Sequence, residues 1–204
     1  MKNILTIDFD IIMAPSIMIY NDLVPKNNID SLKQKSALYD CCKIDAVHYV
    51  RLTRLLLNLM NKIPKEKIHF IHDHDTVTKY VDAPVRIFNI DHHHDFSYGI
   101  ELDKDCLEKL GCANWVRWLH EKNMLSNYVW INNDTSNLPE KYLEHINILE
   151  LKQVKDLETF FCDKVDEIII CLSEPWVPSE YHELFFLWMD LCNKHYNYHF
   201  DFED

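Results

Sequence analysis

Short apolar runs, each cut off by a polar cluster, recur at about residues 3–9, 67–72, 85–90, 128–132, 146–150 and 166–172. Their length and their wealth of Ile, Val and Phe predict buried β-strands. Helical spacing fills several of the gaps. Between Asp45 and Met60, Val47, Val50 and Leu55-Leu56-Leu57 outline an apolar face that ends near Pro64. Asn114–Lys122 and Val154–Phe161 also read as helices. Pro178 opens a last one, with Glu180 and Glu183 in its early turns and Leu184, Phe185, Leu187, Trp188 and Leu191 behind them. Residues 11–32 and 132–142 lack periodicity and are rich in Asn, Asp, Pro and Ser, so they read as loops. Strands alternating with helices predict a mostly parallel sheet covered on both faces. A chain of 204 residues suits one domain spanning 1–204.

Bulk properties narrow the function. A hydrophobic fraction of 48% with 12% aromatics provides for a sizeable core. No apolar run approaches a membrane span and no signal-peptide pattern opens the chain, so a soluble, cytoplasmic protein with no membrane partner is expected. The seven cysteines are odd in number and show no C-x-x-C spacing, which argues against a disulfide framework or a zinc finger. A net charge of −12 disfavours nucleic acid and suits a cationic substrate. With only two glycines, Gly99 and Gly111, the chain has neither a dinucleotide fingerprint nor a Walker A loop.

The chemistry gathers where strands end. Ile87-Phe88-Asn89-Ile90 runs into Asp91-His92-His93-His94-Asp95. In extended backbone, Asp91, His93 and Asp95 would point one way and His92 and His94 the other. The first strand carries Asp8 and Asp10 at the same alternate spacing among isoleucines, which is costly without a cation. A third run, Lys67 to Ile71, ends in His72-Asp73-His74-Asp75, where either histidine can ligate with Asp73 or Asp75 orienting it. Carboxylates with imidazoles suit a divalent ion such as manganese. Parallel sheets collect ligands at the carboxyl ends of their strands, so the three segments predict one shared metal site.

These residues resemble the arginase-related ureohydrolases, three-layer α/β/α enzymes with two manganese ions at the strand ends. Asp91-x-His93-x-Asp95 matches their D-x-H-x-D signature and Asp8-x-Asp10 their D-x-D pair. The likeness is nearer to the small peptide arginase branch, through Asp73-His74 before the signature and Asn114-Trp115 after it, and it favours His74 over His72 as ligand. It spans roughly residues 67–118 plus the first strand. In ordinary arginases the D-x-D strand follows the D-x-H-x-D strand, so the order here looks circularly permuted.

The resemblance implies a manganese-dependent hydrolase that converts arginine residues of a peptide to ornithine and urea. It implies Asp8 and Asp91 bridging two Mn²⁺, His74 and Asp95 completing one ion, and His93 and Asp10 the other. Glu174, closing the run Ile168-Ile169-Ile170-Cys171-Leu172-Ser173, resembles the glutamate that grips the guanidinium, and Asn114 is a second candidate for the substrate. Glu174 is equally placed to act as an acidic residue at a helix entrance, and Asn114 as a helix N-cap. His92, His94 and His120 are candidate proton donors among which the sequence does not choose, and Asp91 and His92 are candidate catalytic residues. The glycine-rich G-G-D-H of arginases is missing, which turns the expectation from free arginine towards a peptide side chain. Three rivals remain: a manganese phosphoesterase marked by Asp91-His92-His93, a hydrolase of free guanidino compounds, and a non-catalytic metal-binding module.

Overall fold

A computed structural model describes residues 1–13, 44–96, 110–133, 136, 149–153, 165–174 and 177–199. Its frame is a six-stranded sheet built from β1 (Lys2–Asp8), β2 (Ile68–Ile71), β3 (Val85–Ile90), β4 (Leu125–Asn132), β5 (Leu149–Gln153) and β6 (Glu167–Cys171). The order across the sheet is β2-β6-β1-β3-β4-β5, and every neighbouring pair is parallel. All six expected strands are present. β4 begins at Leu125 and β5 is displaced to Leu149–Gln153.

Helices cover both faces. Leu5, Ile7, Phe88, Ile90, Val129, Ile131, Ile168 and Ile170 pack against α1 (Ala46–Met60) and α3 (His182–His199). The alternate residues Ile4, Ile87, Tyr128, Trp130 and Ile169 pack against α2 (Trp115–Glu121) and the 3-10 segment His74–Tyr80. Period-two alternation with both faces buried is what turns these strands into nearly continuous apolar runs. The result is an α/β fold with helices on the two sides of a parallel sheet.

The helix starts follow local chemistry. Asp45 caps α1, its Oδ1 accepting the N–H groups of Val47 and His48 at 2.9 and 3.0 Å. The buried stripe of α1 is Leu52, Leu56, Leu59 and Met60, whereas Val47 and Val50 are 59% and 46% exposed. The apolar face therefore lies one register away from the one the valines suggest. Pro178 precedes a 3-10 turn, Ser179–Tyr181, that leads into α3, whose Phe185, Trp188 and Cys192 face inward. The helix expected at 154–161 and most of the two expected loops lie outside the described residues. Among the described residues no helix is long and apolar enough to cross a membrane.

Candidate metal centre

Register brings the acidic strand ends together. Ile7 lies opposite Ile90, and Asp8 opposite Cys171, which in turn faces Ile71 at the end of β2. The residues that leave these strands therefore emerge side by side at the carboxyl edge. Next to β1 on one side runs β3 and on the other β6, so the edge draws on segments far apart in sequence.

Asp8, His74 and Asp91 form one buried group, and Asp10, Asp91 and the partly exposed His93 form another, each with donor atoms within 4.8 Å of one another. Asp91 belongs to both. His74 Nδ1 lies 3.1 Å from Asp8 Oδ2, 3.2 Å from Asp91 Oδ2 and 2.9 Å from Asp95 Oδ2. Neither ring nitrogen of His74 is in hydrogen-bonding geometry with any of them, and Asp10 Oδ2 is also without a hydrogen bond. Asp10 Oδ2 faces His93 Nδ1 at 2.8 Å. Buried carboxylates and imidazoles that converge this closely, with poor hydrogen-bond angles between them, leave a place for a cation. Carboxylate oxygens with imidazole nitrogens form a donor set for a hard-to-borderline divalent ion. The residues present therefore fit a metal.

The convergence arises differently from simple strand alternation. β3 stops at Ile90, and Asp95 sits in left-handed backbone with φ 51°. Asp91 Oδ1 accepts the N–H of His93 at 2.8 Å, folding the segment back on itself. β1 likewise ends at Asp8, whose Oδ1 accepts the N–H of Asp10 at 3.1 Å and caps the 3-10 turn Phe9–Ile12. Turn geometry at the two strand ends does the gathering.

Titration reflects the crowding. Burial, reinforced by the charges of Asp95 and Asp8, raises Asp91 to about 7. Burial with Asp8 and Asp91 raises Asp10 to about 6. Burial also opposes charge on His93, but Asp10, Asp91 and Asp95 outweigh it and lift the imidazole to about 9. His74 rises because Asp8, Asp91 and Asp95 outweigh its burial, while close contact with the charged His74 and a bond from Ser173 carry Asp8 below its ordinary value despite burial.

Several supporting residues escaped the sequence reading. Ser173 Oγ donates to Asp8 Oδ2 from a residue that is itself left-handed, φ 51°. Asn89 Nδ2 donates to Asp91 Oδ2 at 3.1 Å and to Tyr128 OH at 2.9 Å, while Thr6 Oγ1 donates to Asn89 Oδ1. Tyr128 OH passes on to the His94 carbonyl at 3.0 Å, and Trp130 Nε1 holds the Asp91 carbonyl at 2.9 Å. Thr6 and Asn89 carried a readable signal, each being a polar residue inside an apolar strand two places before a carboxylate. Ser173 carried none, because only its turn aims it at Asp8.

The remaining candidates are spread around this centre. His72 is exposed and its Nδ1 lies 3.0 Å from Glu174 Oε1, so the two histidines divide, His74 inside and His72 at the surface. Glu174 is outside the buried cluster, with its side chain 56% exposed. Asn114 stands at the N-cap of α2 without a capping bond, its Oδ1 accepting the N–H of Gly111 at 2.9 Å. His92 is buried, with Nδ1 3.1 Å from Asn133 Oδ1 and its backbone N–H on Asp10 Oδ1 at 3.3 Å, and burial lowers its pKa. Burial holds His94 down to about 3, and its Nδ1 accepts the N–H of Phe96 at 3.0 Å. His120, half-buried on α2, has its ring 6.0 Å from that of Phe96. No family model, no curated protein and no solved structure matches this chain.

Proposed function

We propose that this protein is a manganese-dependent hydrolase that removes urea from arginine residues of a peptide and leaves ornithine. The observation that carries the reading is Asp91, a buried carboxylate common to two ligand groups. In this reading Asp8, His74, Asp91 and Asp95 would hold one ion, and Asp10, Asp91 and His93 the other, with Asp8 contributing to both as the resemblance implies. A bound metal pair supplies a water of lowered pKa and polarises the substrate. Asn89 and Ser173 keep the Asp91 and Asp8 carboxylates turned inward. Glu174, exposed beside His72, is suited to meet a guanidinium arriving from solvent, because a carboxylate can accept two parallel N–H bonds from it. Neutral His92 is suited to take up a proton and release it to the departing amine. The adjacency of β1 and β3 puts the D-x-D and D-x-H-x-D segments side by side, as one shared site requires.

Mass spectrometry of arginine-containing peptides and of free arginine, incubated with the Mn²⁺-loaded protein, tests this. A loss of about 42 Da per arginine, the mass of CN₂H₂ removed by hydrolysis, is expected in peptide and absent with Asp91→Asn. No mass change in any peptide despite bound metal would overturn the reading, and phosphate release from a model diester would replace it with the phosphoesterase.

A further inference from the structure

Trp115 opens α2 and is fully buried. Its indole N–H donates to Asp95 Oδ2 at 2.6 Å, and the same oxygen lies 2.9 Å from His74 Nδ1. The indole ring stands 4.9 Å from the His74 imidazole. One residue on, the Val116 N–H donates to the Asp95 carbonyl at 3.2 Å. The start of α2 thus grips Asp95 by side chain and backbone, at a residue in left-handed backbone, φ 51°, which aspartate adopts more readily than most side chains. The terminal torsion of an aspartate is broad, so a carboxylate without a brace turns easily.

The geometry points to Trp115 as a positioning residue of the metal centre, its indole fixing the Asp95 carboxylate towards His74 before an ion arrives. This rests on the metal-centre reading proposed above, and Trp115 itself touches no reacting atom. Packing alone would be served by phenylalanine, which joins Val116 and Leu119 in the same apolar layer but offers Asp95 no donor.

Calorimetric titration with Mn²⁺ of the chelator-treated wild type, Trp115→Phe and Trp188→Phe separates the roles. Trp188 is equally enclosed, but on the opposite layer, where its indole donates to Thr53 Oγ1 at 2.9 Å. Affinity should fall roughly 10- to 100-fold in Trp115→Phe, as for other partners that orient a ligand, and stay unchanged in Trp188→Phe. Equal affinity of Trp115→Phe and wild type overturns the inference, and so does an equal fall in both variants. Should Trp115→Phe fail to fold, the indole N–H resonances of ¹⁵N-labelled wild type decide. That of Trp115 should shift on adding diamagnetic Mg²⁺ while that of Trp188 stays; an unmoved Trp115 resonance overturns the inference. A wild type that binds neither ion overturns the metal-centre reading itself, and this inference with it.

Discussion

Replacing Asp91 and replacing Asp10 should have unequal consequences, because Asp91 is common to both ligand groups and Asp10 belongs to one. Asp91→Asn should empty the whole centre, weakening both ions by more than about 100-fold, beyond the loss typical of an outer partner. Asp10→Asn should remove one ion and leave the group around His74. Elemental analysis after gel filtration distinguishes these, and equal stoichiometry in the two variants would contradict a shared carboxylate. The same logic makes Ser173 more than a surface turn residue. It is the hydroxyl that meets Asp8, and nothing around it in the sequence announces that role.

At the scale of elements, the short 3-10 turn after β1 ties the centre to the core. Phe9 points away from the metal-ligand face and packs edge-on against Trp188, Phe185 and Tyr49, with ring centroids 4.9, 5.6 and 6.4 Å away. Phe9→Ala should cost about 3–5 kcal/mol, the usual range for a buried Phe, read from urea unfolding. Added Mn²⁺ should recover part of this, since an ion bound only by the folded state stabilises it. A loss under about 1 kcal/mol would show that the turn relaxes freely. Elements of this kind explain what was legible beforehand. All six strands and the three described helices follow from apolar period and from caps such as Asp45, which act locally. The clustering of Asp8, Asp91 and His74 was also readable, as chemistry at strand ends. The inward stripe of α1 was not, since Val47 and Leu52 are equally apolar and only the packing of α3 chooses between them. Asn89, Tyr128 and Trp130 were hidden for a related reason, as their meaning depends on which strands lie side by side.

For the whole molecule, stability and metal binding should run in opposite directions with pH. Asp10 at about 6, Asp91 at about 7 and His93 at about 9 all hold protons more tightly folded than unfolded. Their contribution is full below the unfolded values and is lost as pH rises through the folded ones. His94, held to about 3, and His92, also lowered, run the other way up to the ordinary histidine value near 6.5, so with chelator present thermal stability should decline from about pH 7 to pH 9. Metal needs the same groups deprotonated, so Mn²⁺ affinity should climb over that interval. A flat melting profile with chelator, or an affinity that does not change with pH, would contradict this account of the centre. The sheet order has a further consequence, for biosynthesis. The contact between Asp8 and Ser173 spans 165 residues, and at ordinary translation rates the first strand waits roughly ten to thirty seconds for its partner to be made. During that interval neither the β1–β6 ladder nor the brace on Asp8 exists, although Asp8, His74 and Asp91 have already been made. The ligand groups thus stand in the growing chain before the strand that braces them, and the centre reaches its final form only when β6, the last strand of the sheet to be made, takes its place beside β1.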